Sequence, residues 1–112
     1  MELNVNEYID VDSALKRVGG NKDLFKRLLG RFVEGKNFEA LENALKSGNL
    51  EESAHVAHTL KGVSSNLSLD KVAALSTEIE QLIKGDNDYS ACLEELRQAY
   101  DITVAKIAEM TS

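Results

Sequence analysis

Proline and tryptophan are absent from the 112 residues, glycine is sparse, and cysteine occurs once. Proline is the strongest helix breaker, and the abundant Ala, Leu, Glu and Lys are good helix formers, so the composition favours helices. The single cysteine, Cys92, excludes an intrachain disulfide and a cysteine zinc site. We interpret it as a small, partly buried apolar side chain rather than a reactive thiol. Because aromatic residues make up only 5% of the chain, we expect an aliphatic core.

An excess of basic residues is also lacking. The chain has 13 Lys and Arg against 19 Asp and Glu, which gives a net charge of -6 and a pI of about 4.9. Nucleic acids and anionic membranes are bound through basic faces, and no cluster of Lys and Arg stands out in this sequence. We therefore expect neither a nucleic acid nor a membrane among its partners.

Targeting signals and long apolar runs are missing as well. Residues 1–5 contain no basic segment followed by an apolar run, so no signal peptide is predicted, and no stretch is long enough to span a bilayer. These absences favour the reducing cytoplasm. Met1 comes just before the patterned part of the chain, which suggests a stand-alone protein, although a domain excised from a larger protein has the same appearance.

The residues that are present indicate one folded domain. With 43% hydrophobic and 29% charged residues, the chain is globular rather than disordered. Its length suits a single domain over residues 1–112, with a short lead-in at residues 1–8. A domain of this size buries one bundle core and leaves little room for a deep substrate cavity.

Apolar residues recur at helical spacing in four long segments, and no segment alternates with the period of a strand. The four apolar stripes are, in chain order, Phe25, Leu28, Leu29, Phe32, Phe38, Leu41 and Leu45; Val56, Leu60, Val63 and Leu67; Val72, Leu75, Ile79, Leu82 and Ile83; and Leu93, Leu96, Tyr100, Val104 and Ile107. Each stripe predicts an amphipathic helix that packs one face on a common core.

Capping residues and glycines mark the expected start of the first two helices. Asp12 or Ser13 is suited to cap a short helix that runs through Val18. Gly19-Gly20 is expected to end that helix, and Asn21 is suited to cap the next one. A short additional helix is therefore predicted before the first long one.

The long helices are bounded by similar signals. Gly35 interrupts the first stripe, which resumes after it, so we expect one long helix that is kinked near Gly35 and ends at Gly48. Asn49 or Ser53 is expected to start the next helix, which ends near Leu67.

Short connections separate the remaining long helices. Ser68 and Asp70 are both N-cap residues, and residues 85–88 have the chemistry of a turn. Short loops between long amphipathic helices make neighbouring helices antiparallel. The predicted fold is an all-α, antiparallel four-helix bundle of up-down-up-down topology with a short extra N-terminal helix.

The second of the four long segments carries the residues that suggest chemistry. At roughly 100° per residue, His58 lies opposite the apolar stripe of its own helix and should face solvent. Gly62 and Ser65 lie close to His58 in angle, and Lys61 lies one turn along on the other flank. An interior glycine costs about 1 kcal/mol of helix stability relative to alanine, so Gly62 indicates that something approaches His58 closely.

An exposed imidazole with such neighbours suits phosphoryl transfer. A free imidazole titrates near pH ~6.5 and is therefore largely neutral and nucleophilic at cytoplasmic pH. Phosphoryl transfer depends on positioning and charge neutralisation more than on covalent help, and Lys61 offers a positive charge nearby. An exposed site also suits a group that is handed from one protein to another.

The run His58-Thr59-Leu60-Lys61-Gly62, preceded by Ala57 and followed by Ser65, resembles the signature of histidine phosphotransfer domains. The similarity covers the chain from about Ile9 into the final helix. Its other parts are residues 9–15 (IDVDSAL), 19–21 (GGN), 24–25 (LF), 75–76 (LS) and 78–80 (EIE).

This resemblance implies a four-helix bundle with a phosphorylated His58 on its surface. Lys61 and Gly62 match the lysine and glycine that accompany the histidine, and Ser65 takes a position that favours small residues. Ser68 is a departure, because many members have glycine there.

The family relationship also suggests partners and a role. Members carry phosphoryl groups between aspartates of receiver domains, which belong to response regulators and hybrid sensor histidine kinases. The chain is then a phosphocarrier rather than an enzyme, with no cofactor of its own, and any Mg²⁺ belongs to the receiver. We expect a cytoplasmic monomer whose docking face includes the helix around His58 and exposed apolar residues of the preceding long helix.

Other interpretations of the same residues remain open. A histidine kinase needs an ATP site, and the sequence has no Gly-rich phosphate loop or Walker pattern. A helical adaptor that binds receiver domains without phosphotransfer is the main alternative. His55 and His58 with Glu51 or Glu52 form a conceivable metal site, but a third histidine is lacking. Each residue also has an ordinary interpretation, such as a surface histidine, a solvated Lys61 or a close helix contact at Gly62.

Overall fold

The structure, a computed structural model, describes residues 5–111 and the side chains from Glu7 onward. Its helices are α1 (Val5–Tyr8), α2 (Val11–Arg17), α3 (Lys22–Gly35), α4 (Asn37–Lys46), α5 (Leu50–Asn66), α6 (Asp70–Lys84) and α7 (Ser90–Thr111). Residues 5–111 contain no strand, and the all-α prediction is confirmed. None of the helices in this range combines the length and the apolar character that crossing a bilayer requires.

The long helices form a closed bundle with four arms. Helices α3 and α4 together make the first arm, and α5, α6 and α7 make the others. Each arm packs on the next along the chain, and α7 closes the ring against α3. The connections, residues 47–49, 67–69 and 85–89, are short enough to make successive arms antiparallel, as predicted.

The N-terminal segment is more helical than the sequence pattern indicated. Helix α1 lies within residues 1–8, which were predicted as a lead-in; residues 1–4 lie outside the described part of the chain. Helix α1 packs on α6 and α7, and α2 packs on α3. Ile9, between these two helices, is completely buried, so this segment contributes to the core.

The first arm is two helices rather than the single kinked helix predicted from the sequence. Helix α3 ends at Gly35, and Lys36 adopts a left-handed conformation with φ of 49° before α4 begins. A left-handed residue interrupts the ladder of backbone hydrogen bonds, which explains the break. Phe32 and Phe38 lie on opposite sides of this break, and both pack on Tyr100. Their ring centroids are 5.6 and 5.4 Å, respectively, from the ring centroid of Tyr100. The core is therefore aromatic at this point and not wholly aliphatic.

Asn21 caps α3 as expected, and of the two expected starts of α5 the structure has Asn49 as the cap, with Ser53 inside the helix. Asn21 and Asn49 each accept a hydrogen bond of 3.0 Å from the backbone N–H three residues further on. The cap of α2 differs from the prediction. Helix α2 is capped by Asp10, not by Asp12 or Ser13. The Asp10 carboxylate accepts the backbone N–H of Ser13 at 3.1 Å and its hydroxyl at 2.9 Å, so the helix begins earlier than expected.

The turn between α5 and α6 also differs from the prediction. The N-cap of α6 is Leu69, which makes no side-chain cap, and neither Ser68 nor Asp70 takes that role. Ser68 is left-handed, with φ of 54°, and its side chain is buried inside the turn. Its carbonyl accepts the backbone N–H of Asp10 at 2.9 Å, which ties the N-terminal segment to the end of α5.

Replacing Ser68 by glycine should raise the free energy of unfolding by about 1 kcal/mol. The left-handed conformation is strained for serine, and its Oγ is buried without a hydrogen-bond partner within the described part of the chain. Urea denaturation measures the change. Lys36→Gly relieves the same backbone strain at an exposed site without a buried hydroxyl, so its gain should be smaller. An unchanged or lower midpoint for Ser68→Gly would contradict the argument.

Candidate functional site

His58 lies midway along α5 with its side chain 65% exposed, in agreement with the orientation expected from the helical period. His55, one turn earlier, is also exposed. Helix α5 begins at a defined point because Asn49 caps it, and this sets the position of both histidines along the bundle. The imidazole of His58 is therefore accessible to another protein.

The buried side of α5 is rotated from the predicted apolar stripe. Leu60 and Leu67 are buried as expected, but Val56 and Val63 are only half-buried. The rest of the buried side consists of small residues: Ser53, Ala54, Ala57 and Ser64. Small side chains allow close packing on α6, the chief neighbour of α5, so this face turns towards α6 and carries His58 with it.

A buried carboxylate holds the imidazole of His58 in place. The Nδ1 atom lies 3.2 Å from Oε1 of Glu80 on α6, and the Glu80 side chain is only 9% exposed. The second oxygen of Glu80 accepts a 2.8 Å hydrogen bond from Nζ of Lys84, one turn along the same helix. A chain of contacts therefore joins His58, Glu80 and Lys84.

The charge state of Glu80 follows from these contacts. The hydrogen bond from Lys84 holds the pKa of the Glu80 carboxyl below its usual value, against the opposing effect of burial, and the hydrogen bond from His58 acts in the same direction. An ionised carboxylate only accepts hydrogen bonds, so the neutral imidazole carries its proton on Nδ1. The lone pair of the ring then lies on Nε2, the nitrogen that Glu80 does not hold.

Glu80 belongs to the part of the sequence that resembles the family, but its contact with His58 was not predicted. The helical spacing could have indicated that Glu80 is buried. Glu80 follows Ser76 by four residues and precedes Ile83 by three, so these three residues share one buried face of α6. Lys84 at the following i+4 position is the partner that such a carboxylate needs. The pairing with His58, across 22 residues, comes from the packing of α5 on α6.

The three other predicted residues lie further along α5 on the same side. Lys61 is half-buried, whereas Gly62 and Ser65 are exposed. A Cβ atom built on Gly62 meets no described atom within 4 Å apart from its immediate helical surroundings, so the fold itself does not require glycine there. The Ser65 carbonyl accepts a hydrogen bond from the guanidinium of Arg17 on α2, which adds a cation to this end of the face. Sequence reasoning missed Arg17, and no local pattern points to it.

A groove of about 840 Å³ between the first half of α5 and the end of α6 opens beside His58. His55 and Glu51 line this groove together with His58 and Glu80. Within residues 5–111, no group of three or more His, Cys, Asp or Glu side chains is arranged to hold a metal ion. The geometry therefore gives no support to a metal centre built on the two histidines.

Cys92 lies on α7, away from these residues, and is buried as expected. Its Sγ lies 3.6 Å from the backbone oxygen of Leu75. Burial raises the pKa of the Cys92 thiol to about 12, and the nearby negative charge of Glu78 acts in the same direction. We therefore expect the thiol to be unreactive in the folded protein.

Thiol labelling checks this inference. Because the thiolate is the reactive form, we expect native protein at pH ~8 to react with an alkylating reagent roughly a thousandfold more slowly than unfolded protein. The comparison is a time course with and without denaturant, followed by mass spectrometry. Rapid labelling of the native protein would show that Cys92 is accessible and ionisable.

Comparison with known proteins gives one family. A family model described as Hpt domain matches residues 34–109, a segment that runs from the end of α3 almost to the end of α7 and contains His58 and Glu80. No match was found among curated proteins or among solved structures.

Proposed function

Because the chain belongs to the Hpt domain family, which serves histidine phosphotransfer in two-component phosphorelays, we propose that it carries the phosphoryl group on His58. The observation that supports this most directly is the contact between the exposed imidazole and the buried carboxylate of Glu80. It presents Nε2 as a nucleophile at the surface and fixes the ring from behind. The proposed donor and acceptor are aspartates of receiver domains in response regulators or hybrid sensor histidine kinases.

The proposed step forms one bond and breaks one. The Nε2 lone pair attacks the phosphorus of an aspartyl phosphate, and the P–O bond to the aspartyl carboxyl breaks with its electron pair left on the carboxylate. The ring keeps its Nδ1 proton and becomes positively charged as the N–P bond forms. Glu80, which accepts that proton's hydrogen bond, stabilises the developing charge electrostatically. Transfer to a second receiver is the reverse reaction with another aspartate.

Cations and small side chains around His58 support the same interpretation. Lys61 is one turn along α5, and its charge is available to the phosphoryl oxygens. The small residues Gly62 and Ser65 project little from the surface of α5, so that the acidic site of a receiver can reach Nε2. Arg17 adds positive charge at the far end of this face of an otherwise acidic protein.

A second surface feature suits docking of the receiver. On the α3 side of α5, Leu28, Phe32 and Val63 line a mainly apolar groove of about 320 Å³, with Arg31 and Asn66 at its polar part. It flanks the exposed face that carries Gly62. We propose that this groove receives apolar residues of the receiver domain, while the cations face its acidic site.

The test is transfer of labelled phosphoryl groups from a panel of phosphorylated receiver domains to the purified chain. We expect uptake from at least one receiver, and the label should be acid-labile and base-stable, as a phosphoramidate is. Incubation with labelled ATP alone should give no uptake. Uptake from ATP would indicate a kinase, and binding of a receiver without uptake would indicate the adaptor.

A further inference from the structure

His58 contacts one carboxylate oxygen of Glu80. Among the contacts of the described residues, Lys84 is the one cation that binds the other oxygen. The carboxylate is 9% exposed, whereas His58 and Lys84 are 65% and 64% exposed. Two partners from different helices therefore meet at one buried negative charge. Lys84 itself touches the carboxylate and not the imidazole, so any effect on His58 passes through Glu80.

Burial of a carboxylate is unfavourable unless its oxygens are hydrogen-bonded and its charge is compensated. The Nδ1–H of a neutral imidazole satisfies one oxygen but brings no net charge. The ammonium group of Lys84 brings both a hydrogen bond and a full positive charge. It is also the largest of the influences that keep Glu80 ionised against burial.

We propose that Lys84 is a positioning residue that keeps the Glu80 carboxyl ionised and compensates part of its negative charge. His58 then stays a neutral ring with its proton on Nδ1 and its lone pair on Nε2. The consequence for transfer rests on the function proposed above. The electrostatic coupling of Lys84 to the His58 ring does not depend on that function.

Loss of the Lys84 charge shifts the pair towards two other protonation states, and neither of them contains the reactive form of the ring. If Glu80 stays ionised, its uncompensated charge favours protonation of His58, and an imidazolium has no lone pair to attack with. If Glu80 takes up a proton instead, its hydroxyl donates to Nδ1, and the ring proton moves to Nε2. In either case the reactive form is depleted at neutral pH and returns at higher pH.

Other charged groups face the same groove and must be separated from this effect. Glu51 and His55 come from α5, and Asp86 follows α6. His55 is the second imidazole in the groove, so its ring must be removed for an effect of pH to be assigned to His58. The experiment is therefore done in a His55→Gln background, with Glu51 and Asp86 left unchanged.

The measurement is the rate of transfer from one phosphorylated receiver as a function of pH. It is expressed as the rate of each variant divided by the rate of the parent, which is the His55→Gln protein. For Lys84→Met we expect a ratio of roughly one third near pH ~7, the size expected for one partly exposed ion pair, rising towards one near pH ~9. Lys84→Arg keeps the charge and should stay close to one throughout. Lys71→Met removes another ion-paired lysine of α6, the partner of Glu7, and should have no effect.

Two outcomes of the transfer assay would overturn the proposal. A loss that is the same at every pH and varies with salt would make Lys84 a docking residue. A ratio near one at every pH would leave it without a role in transfer. The receiver-free readout is the NMR titration of the His58 ring, which should move to higher pH in Lys84→Met. An unchanged titration refutes the coupling even if no receiver transfers to the parent, whereas a moved titration without transfer supports the coupling and counts against the phosphocarrier function.

Discussion

The His58→Gln variant should accept no phosphoryl group from any receiver domain that phosphorylates the wild type. Glutamine has no nucleophilic nitrogen, so the expected loss is complete rather than partial. Its amide N–H groups can still donate to Glu80, and the site is exposed, so the free energy of unfolding should change by less than about 0.5 kcal/mol. Label uptake and urea denaturation of the same preparation measure both properties.

His55→Gln is the matched control for this variant. His55 lies one turn earlier on the exposed side of the same helix, and no contact with Glu80 is seen for it among the described residues. We expect His55→Gln to take up the label at close to the wild-type rate. Uptake that survives in His58→Gln but disappears in His55→Gln would move the phosphorylated residue by one turn and refute the assignment of His58.

Enlarging Gly62 should produce the second large effect. We expect Gly62→Gln to slow transfer by roughly a hundredfold, because displacement of reacting groups by about 1 Å is enough for a loss of this size. Gly62→Ala should slow transfer less. At the same time Gly62→Ala should raise the free energy of unfolding by about 1 kcal/mol, because an added Cβ meets no described atom and alanine is the better helix former.

Gly30 offers a matched control for both properties. It is also an interior helical glycine at which an added Cβ meets no described atom within 4 Å, but it lies on α3, outside the residues of the site. Gly30→Ala should stabilise the protein by a similar amount and leave the transfer rate unchanged. If Gly62→Gln transfers at the wild-type rate, then glycine at this position does not serve the approach of a receiver.

Much of the architecture could be predicted from periodicity and capping. The apolar stripes predicted four amphipathic arms, and Asn21 and Asn49 marked two helix starts that the structure confirms. Such signals are local, because the caps act within one turn of the chain. The break at Lys36 was harder to predict, because glycine next to it suggested only a kink and lysine is not a usual left-handed residue.

By itself, the sequence determined that His58 is exposed and that Lys61, Gly62 and Ser65 share its side of α5. This follows because the helical period sets the relative angles of residues on one helix. Only the tertiary structure decided that Glu80 and Arg17 join this face, since the pairs are 22 and 48 residues apart. The period does not determine how a helix is rotated about its axis. That rotation depends on close packing against α6, which small residues such as Ala57 permit, and it places the imidazole over a buried carboxylate.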